Sequence, residues 1–346
     1  MRAPLREALA PGEGVGGFSL DAYMASLSDG LYFDATKTDR FFQENTGPTL
    51  ADDVGEAMGL ALDQRTWGGK TLAEVLAAAT NMGGTGFSMS ANGGTGTATE
   101  SPSGQLNLTG DGTNAATGDK AYTTVAGATY EVAFTVGSAA VNARAGTSQF
   151  GTSLTGGNLT GAVGANRFFF TATGTTSWIG FAKSSAALAV VTGISVKIVS
   201  GNHGVQASAT LKPVRQATGA KFDGSDDNWL SPYLNGSGGN FMVALISVPA
   251  SIAAFQYLAG MSSGSDRWGV GINTDGLVGF GSGSTSPTVA KGTTDVRNTE
   301  AVVGISSDGS NVLGFVGAAQ EYSAPLSSAL NKIGRASCRE RVSSPV

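Results

Sequence analysis

Between Gly83 and Ser200 the chain runs in short alternating stretches, broken about every ten residues by a turn rich in Gly, Ser, Thr or Asn. QLNLTG, TYEVAFTVG, NRFFFTAT, SWIGFAK and GISVKIV each combine β-branched and aromatic residues with two-residue alternation. Segments so short, so regularly interrupted, leave no room for the stripe of an amphipathic helix. They predict strands stacked in a sandwich of the jelly-roll type. Composition agrees where it bears on this. Gly accounts for 52 of 346 residues, apolar residues for 41% and charged ones for only 14%, too apolar for a disordered chain. The expected fold class is all-β: two antiparallel β-sandwiches after a small α+β N-terminal segment.

A second organising stretch is AKFDGSDDNWLSPYL, residues 220–234. Its Asp223-Gly224 pair is strong turn chemistry, since Gly accepts a positive φ and Asp bonds its own backbone. The residues that follow return to β-compatible types, so the stretch reads as the opening of a new sheet domain. It resembles the F-D-G-x-D-D-[YW]-[VL] entry of laminin-G-like, concanavalin-A-like domains. NFMVALISVP (240–249), RWGVGINTDGLVGFG (267–281) and AVVGISSDGSNVLGFVGAAQE (301–321) stand where that family has a core strand and two hairpins. The last turn, Gly317-Ala318, departs from the family's Asn-Gly.

Upstream, residues 18–30 predict a short helix capped by Ser19, and TLAEVLAAA (71–79) a second with a Thr71/Glu74 capping box. Residues 30–64 suggest a small β unit with a turn at Asn45-Thr46-Gly47-Pro48. Tyr32, Asp34, Thr38, Phe42, Gln43, Gly47, Pro48, Gly59 and Asp63 resemble a module near the N-termini of phage and prophage virion proteins. SGNHGVQASATLKPV (200–214) resembles a linker of the same proteins. The 83–200 strands resemble jelly-roll carbohydrate-binding modules. The domains expected are therefore 1–82, 83–200, a linker at 201–218, and 219–332.

Residues 333–346 are set aside. IGRASCRERV (333–342) resembles the translation of a sequencing-library adapter, which makes the second sandwich truncated and Cys338 foreign. Without Arg335, Arg339, Arg341 and Glu340, the 21 basic and 26 acidic residues become 18 and 25, a formal charge of −7. An acidic chain with no basic stripe argues against nucleic acid. No run reaches roughly 18 apolar residues and the N-terminus lacks a signal-peptide core, so neither membrane insertion nor that route of secretion is expected.

Candidate sites are few. The single His203, in an Asn-His-Gly segment, reads as a turn whose imidazole bonds backbone. Gly260–Gly264 matches G-x-S-x-G, but flanking strands and a His that precedes it make it a hairpin loop rather than a nucleophile elbow. The run 83–97 lacks the Lys-Ser/Thr of a phosphate loop and reads as a loop. Asp223, Asp226 and Asp227, with Asn228, offer hard oxygens on one turn, which suits Ca²⁺. Trp229 and Trp268 lie beside turns and are the candidates for stacking on sugar faces, whereas Trp178, in an apolar strand, is expected in the core. No pair of acids at glycosidase spacing stands out, so no catalytic residue is expected.

Taken together, the resemblances imply a non-catalytic virion protein of the tail or tail fibre, displayed outside the host after assembly in its cytoplasm. It would bind host surface glycans, contact other virion subunits and form a homo-oligomer. The alternatives are a purely structural virion component and, less well supported, a polysaccharide depolymerase.

Overall fold

The computed structural model describes residues 32–34, 37–201, 203–216, 219–222, 229–230, 241–248, 250–252, 256–263, 266–283, 288–307, 311–317, 319–325 and 336–338. The fold is all-β, built of several antiparallel sheets. The helix expected over 18–30 lies outside the described residues. After the two-residue strands β1 (Phe41–Phe42) and β2 (Leu60–Ala61) comes helix α1 (Leu72–Ala78). Its capping box is complete: the Thr71 hydroxyl accepts from the Glu74 N–H, and the Glu74 carboxylate accepts from the Thr71 N–H at 2.8 Å. The bonds from the Thr71 N–H and then its hydroxyl hold the Glu74 carboxyl below its ordinary value.

The chain divides into two compact units, one of which is Glu44–Leu50 with Lys70–Gly201. It holds ten strands: β3 (Ser88–Ser90), β4 (Thr97–Glu100), β5 (Leu106–Thr109), β6 (Ala116–Thr123), β7 (Thr129–Val136), β8 (Val141–Gly146), β9 (Leu159–Gly161), β10 (Gly164–Thr171), β11 (Thr176–Lys183) and β12 (Ala189–Val199). They form two five-stranded sheets, in the orders β10-β7-β12-β5-β4 and β3-β6-β11-β8-β9. Alternation sends Val132, Phe134, Phe168, Phe170, Val191 and Val196 of the first sheet, and Tyr122, Ala143, Ile179 and Phe181 of the second, into one shared core. The rings of Phe134 and Phe181 meet edge to face across it, 4.9 Å between centroids at 67°. The strands read from alternation are all present. The 83–97 run, expected to be a loop, carries β3 and the start of β4 around a turn, because Ser88 and Ser90 pair with Asp119 and Thr117 of β6.

Two details fix this unit's margins. The expected Asn45–Pro48 turn is formed, with Gly47 at φ +64° and its N–H donating to the Glu44 carbonyl. The Phe169 N–H, on the outer edge of β10, donates to the Thr46 carbonyl at 2.5 Å. At the other margin, Asn81 and Met82 run beside β12: the Met82 N–H donates to the Val196 carbonyl at 2.9 Å, and Asn81 Oδ1 accepts from the Val196 N–H at 3.1 Å.

The first sheet's outer face is not bare. Glu131 lies there, 5% exposed, in register with Phe169 on one side and Lys197 on the other. Arg167 Nε stands 3.6 Å from its carboxylate, while Lys197 Nζ donates instead to the Leu76 carbonyl of α1 at 2.7 Å. Burial therefore pushes the Glu131 carboxyl up, against the weaker pull of Arg167 and Lys197. A carboxyl raised on folding favours the folded state below its unfolded pKa, and that contribution is lost as pH rises through the folded value. Denaturant melts of wild type and Glu131→Gln at about pH 4 and about pH 7 should show the wild type losing stability relative to the variant as pH rises.

The other unit contains β1 and β2 and everything from Asn202 onward. Its later strands are β13 (Gly204–Val205), β14 (Val214–Gln216), β15 (Gly219–Lys221), β16 (Trp229–Leu230), β17 (Phe241–Ser247), β18 (Gln256–Ser263), β19 (Asp266–Ile272), β20 (Leu277–Gly283), β21 (Thr288–Asp295), β22 (Glu300–Ser307), β23 (Asn311–Val316), β24 (Ala319–Pro325) and β25 (Ala336–Cys338). β1-β2-β13-β16-β25-β18-β19-β20-β21 form one sheet, β17-β22-β23-β24 a second, and β14-β15 a pair. The hairpins at 267–281 and 301–321 are formed, the first turning at Gly276 (φ +81°) and the second at Gly317 (φ +56°). Phe280 of β20 stacks on Tyr322 of β24 at 5.8 Å, and a Cβ at Gly314 would lie 2.6 Å from the Phe280 ring, so glycine makes that approach possible.

The tail set aside as foreign does not stay outside the fold. β25 pairs with β16 through Trp229↔Cys338 and Leu230↔Ser337, and with β18 through Gly260↔Ser337 and Met261↔Ala336. A backbone ladder asks little of its side chains, and small residues such as Ala336 and Ser337 enter one whatever their origin.

Candidate functional site

The outer face of the second sheet of the Lys70–Gly201 unit gathers the chemistry. Inward positions of β11 are taken by Ile179 and Phe181, so Trp178, Gly180 and Ala182 point away from the core. Trp178 is half-buried on that outer face, which corrects its expected place in the core: the strand's alternation, not its overall apolarity, decides which face a residue takes. Register places Asp119 of β6, Gly180 of β11 and Arg144 of β8 in one row. Trp178 occupies the next outward row, beside Gly146. On the other side Thr117, Ala182, Asn142 and Thr160 follow, with Ser90 alongside Thr117.

Asp119 and Arg144 form a buried ion pair, 1% and 6% exposed. Arg144 Nη2 donates to both Asp119 oxygens at 2.9 Å, and Nε adds a third bond to Oδ1 at 3.3 Å. Burial pushes the Asp119 carboxyl up; the Arg144 charge and bonds, the Phe150 backbone and the Thr117 hydroxyl pull it back. Gly180 is required between them, since a Cβ there would collide with Asp119 Oδ1 and crowd Arg144 Nε at 2.8 Å.

The loop from Thr147 to Asn158 closes over this row. The Leu154 N–H donates to the Ala145 carbonyl at 3.1 Å, and the Thr155 hydroxyl donates to the Gly157 carbonyl at 2.7 Å. Gly151 backbone lies against Gly146, where no Cβ would fit. Phe150 is then forced into the left-handed region at φ +63°, uncommon for a bulky side chain. Its ring sits 5.6 Å from the Arg144 guanidinium and remains 44% exposed. A strained residue that keeps an apolar ring in water over a desolvated cation costs stability and is held by the surrounding structure. What the arrangement offers is a recognition surface: an exposed aromatic ring on the same face as half-buried Trp178, Ser90 and Asn142 and exposed Thr160. Both Asp119 oxygens are engaged by Arg144.

The residues singled out from sequence fall elsewhere. Asp223, Asp226 and Asp227 lie outside the described residues, so the Ca²⁺ expectation falls on positions with no description. The backbones of Trp229 and Trp268 belong to β16 and β19, and their side chains lie outside the described part. Among the described residues Asp52, Asp53 and Glu56 cluster, with Glu56 already accepting from Gln43 Nε2 at 2.6 Å and from the Asp53 N–H at 3.0 Å. His203 is 2% exposed, and its Nδ1 accepts the Asp63 N–H at 2.9 Å, the backbone bond read from its setting. Gly260–Ser263 of the G-x-S-x-G match lie in strand β18, not in the hairpin loop itself and not at a strand-to-helix turn.

Asp119, Arg144 and Phe150 escaped the sequence reading. The available signal was alternation in small residues, Val141-x-Ala143-x-Ala145, whose outward partners are Asn142, Arg144 and Gly146. No protein-family model matches the chain, and a search of curated proteins found no match.

Proposed function

We propose that the protein is a non-catalytic phage virion component, of the tail or tail fibre, whose Lys70–Gly201 unit is a jelly-roll sandwich that binds host surface glycans. The observation that carries this reading is the Phe150 ring, held exposed in a strained conformation above a buried ion pair, with Trp178 and a row of hydroxyl and amide groups on the same face. Sugar C–H faces pack on such rings while polar neighbours take the hydroxyls. The resemblance of residues 32–63 and 200–214 to virion proteins supplies the setting. The later strands fit the laminin-G-like resemblance as a second sandwich, packed among virion subunits.

One exposed ring contributes on the order of 1 kcal/mol beyond area burial, which puts a single site in the millimolar to micromolar range. Firm attachment then comes from many copies, as in a homo-oligomer, where effective concentration multiplies weak sites. On an array of immobilised bacterial surface polysaccharides, the full chain should be retained and Phe150→Ala should weaken retention roughly fivefold. Release of reducing ends during the incubation would make it a depolymerase. Equal retention of wild type and variant would remove Phe150 from the site, and no retention on any polysaccharide would favour a purely structural virion part.

A further inference from the structure

Residues before and after the Lys70–Gly201 unit fold on each other. β13 pairs with β2 through Gly204↔Ala61 and Val205↔Leu60, and the Gln206 N–H donates to the Gly59 carbonyl at 2.8 Å. His203 Nδ1 takes the Asp63 N–H across 140 positions of sequence. Further along, the Met58 N–H donates to the Pro213 carbonyl at 2.8 Å, the Arg215 N–H to the Glu56 carbonyl at 2.7 Å, and the Gly55 N–H to the Arg215 carbonyl at 2.9 Å. Lys212 Nζ reaches the Gln43 carbonyl, and the Arg215 guanidinium lies 5.6 Å from the Phe41 ring. The apolar centre of this region draws on both sides too: Phe41, Ala51, Met58 and Ala61 pack with Phe222.

We infer that residues 70–201, with 44–50 packed onto them, are an inserted module, interrupting a base whose parts, 37–43 and 51–69 on one side and 203–222 on the other, make one folding unit. A base assembled from distant halves needs the insert to hold its own ends together, or closing the long loop would carry a large entropic penalty. The module meets that need internally, since Asn81 and Met82 at its entry run beside Val196 near its exit. Neighbouring ends are what allow one domain to sit inside another. The module also has a core of its own, to which both of its sheets contribute. This goes beyond the glycan reading and does not depend on it: binding could fail while the insertion stands.

The test uses the full chain with a site-specific protease recognition sequence added at Gly69-Lys70 and another at Gly201-Asn202, both at or beside exposed residues. After double cleavage and gel filtration, the N-terminal and C-terminal pieces should elute together, free of 70–201. Residues 44–50 belong to the module's own packing, the bond from the Phe169 N–H to the Thr46 carbonyl included, so release of 70–201 has to undo that packing. Separation of the two outer pieces, or retention of the excised piece at every dilution, would overturn the inference. A measurement on uncut chain guards against poor cleavage. In His203→Ala, hydrogen exchange should rise in β2 and β13 and stay unchanged in β7 and β11; parallel loss in all four would show one cooperative body and no insert.

Discussion

Arg144→Ala is expected to lower the stability of the Lys70–Gly201 unit by about 3–5 kcal/mol, because it leaves the Asp119 carboxylate buried without its cation. In a unit of this size that is roughly 10–20 °C of Tm. The loss measures the cost of stranding a charge and not the net contribution of the pair. Replacing both partners, Asp119→Leu with Arg144→Met, should recover most of the stability, since a desolvated pair and a well-packed apolar pair differ little. The double variant has a second use. It removes the guanidinium under Phe150, so the ring loses its anchor while the sheets stay folded. Polysaccharide retention should fall in the double variant even where its melting curve matches wild type. Retention at the wild-type level would mean that the ion pair serves the fold alone.

Phe181→Ala should be about as damaging, at roughly 3–5 kcal/mol. Phe181 is fully buried and touches the other sheet directly, its ring meeting Phe134 of β7 at 4.9 Å, while Phe87, just ahead of β3 on its own sheet, lies 6.1 Å away. Truncation opens a cavity at the point where the two sheets hold each other, and neither sheet can move in to fill it without tilting its strands. Thermal melts followed by near-ultraviolet circular dichroism would read the effect. A loss under about 1 kcal/mol would mean that the core relaxes far more freely than its ring contacts imply.

How much of this was legible in the sequence depended on which face carried the information. β5, β7, β10, β11 and β12 declare themselves, because their inward positions hold Leu, Val, Ile and Phe at every second place in short runs of β-forming residues. The α1 capping box was equally plain, being local chemistry within four residues. β6 (ATGDKAYT) and β8 (VNARAG) gave little, since small inward residues mute the alternation and Asp119 and Arg144 make them read as turn or surface. The candidate site sits on those two quiet strands and on the loop that follows one of them. Nothing local in sequence reveals that Asp119 and Arg144 will meet, because their partnership depends on β11 lying between them and on Gly180 leaving room. The Trp178 misplacement has the same origin: a tryptophan among apolar residues looks like core until register assigns its face.

The hydrogen bond from the Phe169 N–H to the Thr46 carbonyl has a consequence for crowding. β10 is the outermost strand of its sheet, and an uncovered row of outward N–H groups is a template on which a neighbour's strand can add. With Thr46 docked at mid-strand and the Phe169 ring covered, an incoming strand cannot pair along the full length of β10. A neighbouring strand that met this edge would find it blocked at mid-length, so the ladder could not grow from β10 into a continuous ribbon.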